Sequence, residues 1–157
     1  MRFKKESLRK MAEGIVSYMK INKTGSGASV IALSGDLGAG KTALVQHIAQ
    51  VLGVEQTPPS PTFVIMRSYE TGDEVFKKLV HIDAYRIEGT DELPPLHLDA
   101  EFGEAESLVC VEWPEKIATA MSQGALQITL VSVSENEREL KTVLGLEEAL
   151  QKLIEVV

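Results

Sequence analysis

The stretch Gly35-Asp36-Leu37-Gly38-Ala39-Gly40-Lys41-Thr42 spaces its residues as Gly-x-x-x-x-Gly-Lys-Thr, the complete pattern of a loop that cradles phosphate. Each residue type has a chemical reason. Glycine reaches backbone conformations closed to other residues, so glycines at 35, 38 and 40 let the chain curl until successive N–H groups face an anion. A helix that starts at the end of such a loop adds the positive end of its dipole. Lys41 offers a compact positive charge to β- and γ-phosphates, and the Thr42 hydroxyl is a hard oxygen suited to Mg²⁺. Asp36, Leu37, Gly38, Ala39, Gly40, Lys41, Thr42 and Ala43 therefore form the expected nucleotide-binding segment. At Ala43 no side-chain hydrogen bond to an α-phosphate is available. A ligand-free glycine-rich turn is the bland alternative. The full pattern, with an apolar strand before it and a helix after it, weighs against that alternative.

Two carboxylates end apolar runs. Leu79-Val80-His81-Ile82 leads into Asp83, and Leu108-Val109-Cys110-Val111 leads into Glu112. A magnesium nucleotide needs an acid in such a place. Either acid can hold the metal, directly or through water, while the other positions or deprotonates an attacking water. The catalytic candidates are thus Asp83, Glu112 and Lys41, with Thr42 and an acid as metal ligands. Thr62 is a further candidate for the γ-phosphate or metal, because it follows a segment stiffened by Pro58, Pro59 and Pro61; a threonine that merely starts a strand is the competing reading. Trp113 is the only tryptophan and adjoins Glu112, so it packs near a nucleotide, binds a partner or lies in the core. His81 reads as a core histidine, and Cys110 as a small buried hydrophobe rather than a nucleophile. His47 and His97 lack metal-ligand spacing.

The elements that must position these groups follow from periodicity. Leu8, Met11, Ile15 and Met19 recur at helical spacing. Val30 to Leu33 is a short apolar run bounded by turn residues, as in a buried strand. Ala43 to Leu52 predicts a helix that stops at Gly53. Residues 62–69 and 75–82 flank a turn and predict a β-hairpin. Residues 91–103 read as irregular, with Pro94 and Pro95 inside. Further strands are expected at 108–111, 126–133 and 140–144, and a closing helix at 147–156. The expected fold is a mixed central β-sheet flanked by helices, an α/β domain spanning residues 1–157.

Bulk properties narrow the function. The chain has 157 residues, 44% of them hydrophobic and 25% charged, as in a folded globular protein. No apolar run approaches the roughly 20 residues that span a bilayer, so no membrane association is expected. A single cysteine forms no internal disulfide, which agrees with a cytoplasmic location. The formal net charge is −7, and no basic stripe is visible, which disfavours nucleic-acid binding by this surface alone.

Four segments together resemble the TsaE family of P-loop ATPases. They are residues 35–42, Ser60-Pro61-Thr62-Phe63, His81-Ile82-Asp83-Ala84-Tyr85-Arg86 and Val111-Glu112-Trp113-Pro114-Glu115. The first is shared by many nucleotide hydrolases; the combination is specific. The resemblance implies ATP and Mg²⁺ as ligands and a role in forming N6-threonylcarbamoyladenosine at position 37 of tRNA. It implies TsaD and TsaB as protein partners, with tRNA reached only through the complex. It matches Glu112 to the metal-side acid, Asp83 to the second acid, Thr62 to a switch-like loop and Trp113 to the nucleotide site. Leu93-Pro94-Pro95-Leu96-His97 departs from the helical segment expected there. A small-molecule kinase is the rival enzyme class, but the five arginines at 2, 9, 67, 86 and 138 do not cluster into a phosphate-holding lid. A nucleotide-binding regulator without turnover is the rival non-enzyme, and the two acids argue against it.

Overall fold

The computed structural model describes residues 1–23, 25–56, 59, 64–121 and 123–155. In chain order the elements are β1 (Arg2–Lys4), α1 (Leu8–Ile21), β2 (Ser29–Ser34), α2 (Lys41–Val51), β3 (Met66–Glu70), β4 (Lys78–Asp83), α3 (Leu98–Gly103), β5 (Ser107–Glu112), β6 (Leu126–Ser132), β7 (Glu137–Lys141) and α4 (Leu144–Glu155). Short 3-10 turns occur at Lys5–Ser7, Thr90–Glu92, Pro94–Leu96 and Pro114–Ile117.

The seven strands form one sheet in the order β1-β7-β6-β2-β5-β4-β3. Its centre, β6-β2-β5-β4, is parallel, and both margins are antiparallel. The mixed sheet agrees with the sequence expectation, including the hairpin, which pairs β3 with β4. Strand side chains alternate between faces, so each central strand feeds two cores. Ile31, Leu33, Leu79, Leu108 and Cys110 join α1, α2 and α4 on one face. Val30, Val80, Ile82, Val109 and Val111 join Leu98, Phe102 and Ile117 on the other. No helix among the described residues is long and apolar enough to cross a membrane.

Two expectations are corrected. The last strand runs over 137–141 rather than 140–144. Only Leu140 of that strand is buried, while Val143 and Leu144 are exposed. The Thr142 N–H donates to Glu147 Oε1 at 2.8 Å, which ends the extended stretch and starts α4 three residues before the expected 147. Residues 91–103 are not wholly irregular, because Leu98 and Phe102 sit one helical turn apart and bury together as α3. One strand has no counterpart among the sequence expectations: β1 is too short for any periodicity, and its single buried residue, Phe3, anchors it beside β7.

Candidate active site

The parallel register brings three chain segments to one edge of the sheet. Leu33 of β2 and Asp83 of β4 both align with Glu112 of β5. The glycine-rich loop leaves the end of β2 directly above them. Open parallel sheets hold ligands outside the carboxyl ends of their strands. Residue parity decides the rest. Leu79, His81 and Asp83 lie two apart on β4, as do Leu108, Cys110 and Glu112 on β5, and Leu79, Leu108 and Cys110 face α2. The two acids therefore point toward the start of α2.

The loop is shaped by glycine where it must be. At Gly35, φ is 133°, and a Cβ would stand 2.1 Å from the Leu130 carbonyl oxygen of β6. No side chain fits there, so β6 and the loop touch through backbone alone. Gly40, at φ 105°, turns the chain into α2. Lys41 then donates from Nζ to the carbonyl oxygens of Gly35 (2.6 Å) and Asp36 (2.9 Å). Its ammonium also lies 4.2 Å from the centre of the Trp113 ring. Burial pushes the Lys41 pKa below its ordinary value, against the pull of Glu112, Asp83, Glu115 and Asp36, which favour the charged form.

Thr42 and Glu112 meet face to face. The Thr42 hydroxyl lies 2.8 Å from Glu112 Oε1 and 3.1 Å from Oε2, donating to the carboxylate. Glu112 is only 2% exposed. After it the chain turns sharply: Trp113 sits at φ 58°, ψ 52°, a conformation that costs a bulky residue about 1–3 kcal/mol and clusters at functional sites. The Trp113 N–H donates to the Leu33 carbonyl at 3.2 Å, which ties this turn to β2. Asp83 Oδ1 accepts the Tyr85 N–H at 3.1 Å. The Tyr85 side chain, on a residue 46% exposed, lies against Trp113 with ring centroids 5.3 Å apart and ring planes tilted by 52°.

These groups enclose a cavity of about 260 Å³, lined by Lys41, Thr42, Asp83, Glu112, Trp113 and Tyr85 together with Leu37, Gly38, Gly40 and Ala43 of the loop and α2. Most of the residues singled out in the sequence thus converge. Ala39 instead packs into the core, and Asp36 contributes its carbonyl to Lys41. Thr62 lies outside the described residues, as does its whole Ser60-Pro61-Thr62-Phe63 motif. Two contributors carry little signal of their own in the sequence. Tyr85 stands out there only as part of the segment 81–86, yet it lines the pocket. His81, read as a core histidine, is buried, yet its Nε2 lies 2.7 Å from Glu112 Oε1. Its position two residues before Asp83 on an alternating strand was the available clue. Cys110 is buried as expected, and burial with nearby Glu112 pushes its thiol far up.

Fold and site define a mixed α/β protein in which a glycine-rich strand–loop–helix turn faces two strand-end carboxylates across one pocket. The family model of the threonylcarbamoyl adenosine biosynthesis protein TsaE matches residues 4–140. The chain is 39% identical over 111 residues to a Bacillus subtilis protein named tRNA threonylcarbamoyladenosine biosynthesis protein TsaE, covering 71% of this chain and 66% of that one, just under two thirds of the relative's length. A Streptomyces coelicolor protein of the same name is 39% identical over 124 residues, covering 76% of this chain and 81% of its own. The crystal structure of Bacillus subtilis YdiB superposes with a TM-score of 0.68 at 25% identity, covering 97% of this chain and 94% of that one. The chain belongs to the TsaE family.

Proposed function

We propose that this protein binds ATP with Mg²⁺ in the pocket above α2 and hydrolyses it in the cytoplasm, in support of the TsaB–TsaD machinery that forms N6-threonylcarbamoyladenosine at position 37 of tRNA. One observation carries the reading: the Lys41 ammonium, the Thr42 hydroxyl and the buried Glu112 carboxylate share one pocket at the mouth of a glycine-rich loop. Lys41 bonds two neutral carbonyls, those of Gly35 and Asp36. Phosphate oxygens make stronger, charge-assisted bonds, so a triphosphate draws Lys41 out of the loop. Its charge also adds to the carboxylates that favour the protonated amine.

The donor set fits magnesium. Thr42 and Glu112 present hard oxygens within hydrogen-bond distance of each other, and no cluster of three or more acidic, histidine or cysteine ligands occurs among the described residues. Mg²⁺ is usually held by one or two protein oxygens plus phosphates and waters rather than by a full cage. When bound, it neutralises charge on the β- and γ-phosphates. In this reading Glu112 and Thr42 hold the metal side, and the Thr62 hydroxyl is a further oxygen for the γ-phosphate or the metal. Asp83, beside Glu112 in register, orients a water and takes its proton as the water oxygen bonds the γ-phosphorus. The bond to the β,γ-bridging oxygen breaks, and its electron pair leaves with ADP. The backbone N–H groups of residues 36–43 hold the phosphates, and Trp113 and Tyr85 wall the pocket.

No arginine lines the pocket among the described residues. An added arginine is worth several orders of magnitude in related phosphoryl transfers, which supports slow turnover alone and activation by protein partners. The net charge of −7 supports tRNA contact through the complex rather than directly. Calorimetric titration of ATP into the protein with Mg²⁺, run beside Lys41→Met, tests the binding half. The wild type should bind and the variant should lose most of the affinity; equal affinities would sink the assignment.

A further inference from the structure

His81 has no role in the scheme above, and its surroundings call for one. It is fully buried on β4, where Leu79 precedes it on the same face and Cys110 is its neighbour in register. An aliphatic side chain would continue that face without the cost of burying an imidazole. The imidazole is instead aimed at the acid of the site, with Nε2 2.7 Å from Glu112 Oε1. Among the described residues, Nδ1 is buried with no hydrogen-bond partner. A carboxylate oxygen accepts from an imidazole N–H, and the 2.7 Å contact assigns the proton of this bond to Nε2. A proton on Nδ1 would leave a buried N–H unpaired, which folded proteins rarely tolerate. The tautomer is therefore fixed by both nitrogens: Nε2–H toward Glu112, and a bare lone pair at Nδ1.

We propose that His81 is a positioning residue for Glu112, and that it holds the carboxylate so that Oε2 is left for the metal side of the pocket. Oε1 takes the His81 Nε2–H and the nearer of the two Thr42 contacts, at 2.8 Å, whereas among the described residues Oε2 has only the longer Thr42 contact at 3.1 Å. With Oε1 occupied from below, the carboxylate cannot rotate about its own axis without breaking a buried bond. The hydroxyl and the carboxylate then keep their mutual setting before any ligand arrives. Partners that orient a ligating group in this way typically change metal affinity or activity by about 10–100-fold.

This inference rests on the ATP and Mg²⁺ reading, but its first test does not. Long-range ¹H–¹⁵N correlation of the imidazole in the ligand-free wild-type protein should find His81 protonated at Nε2 and bare at Nδ1. An Nδ1–H tautomer overturns the proposal. The second test measures how much Mg²⁺ is needed for tight ATP binding. His81→Asn keeps a polar side chain too short to reach Glu112, and should raise that requirement roughly 10–100-fold, with ATP affinity in EDTA unchanged. His81→Gln places an amide nitrogen where Nε2 stood and should restore the wild-type requirement. In a Glu112→Ala background, His81→Asn should add nothing, because the residue acts only through Glu112. An unchanged Mg²⁺ requirement in His81→Asn, or an equal loss in the Glu112→Ala background, overturns the proposal. If His81→Asn does not fold, the Gln variant and the tautomer decide. If the wild type binds no ATP, the functional reading falls while the tautomer still decides the His81–Glu112 arrangement.

Discussion

Replacing Glu112 by glutamine separates stability from chemistry at the centre of the site. The carboxylate is 2% exposed and is approached by the Thr42 hydroxyl at 2.8 Å and by His81 Nε2 at 2.7 Å. Hydrogen bonds to a charged group contribute about 1.5–3 kcal/mol each, and desolvating the charge costs several kcal/mol, so the two effects nearly cancel. Glutamine keeps the volume and one acceptor oxygen while removing the charge. The expected change in folding stability is within about 1 kcal/mol, or a Tm shift of no more than about 4 °C for a chain of this size. Turnover should behave differently, because an amide brings no negative charge to the metal side of the pocket. Loss of one electrostatic group from a reaction centre typically costs about 10²–10³-fold. Phosphate release from ATP and thermal unfolding, measured on the same preparation, check both halves. A variant that keeps most of its turnover refutes the role given to Glu112. A variant that loses more than about 3 kcal/mol of stability shows instead that the charge is a partner in a buried structural pair.

Gly35→Ala should cost roughly 2–6 kcal/mol, combining a 2.1 Å clash with the Leu130 carbonyl and an unfavourable backbone angle; Gly38→Ala, also at positive φ (80°) but with nothing within 4 Å, should cost only the backbone part, about 1–3 kcal/mol, and chemical denaturation of the pair measures the difference. Trp113 is the only tryptophan and lies 4.2 Å from the Lys41 ammonium, so its emission should change as ATP draws Lys41 away, and the change should vanish in Lys41→Met. The lowered pKa of Lys41 means that the unfolded chain binds the extra proton between the folded pKa and 10.5. Wild-type stability should therefore climb with pH through that window, and Lys41→Met should flatten the climb in pH-dependent denaturation curves.

The site was legible in the sequence to the extent that local rules govern it. The glycine-rich loop needs only its own residue types and the strand and helix around it, and Asp83 and Glu112 announced themselves by ending apolar runs. That both acids would face one loop depended on β5 lying between β2 and β4, a matter of strand order that no single segment contains. His81 is the core histidine that its apolar run suggests, but its contact with Glu112 was hidden for the same reason, since only the register beside β5 brings the two together. Val143 and Leu144 suggested a strand by their hydrophobicity, but the Glu147 side chain caps the segment as a helix start and leaves both exposed. Leu98 and Phe102 form a helix because the far face of the sheet offers them burial, a tertiary effect hidden behind the two prolines before them.

The most direct test of the account is ATP hydrolysis with Mg²⁺ by the protein alone and with its cognate TsaB and TsaD, with Glu112→Ala and Asp83→Ala run in parallel. The account predicts slow turnover alone, a rise with both partners, and suppression by either substitution. Turnover that ignores the partners and survives both substitutions would contradict it.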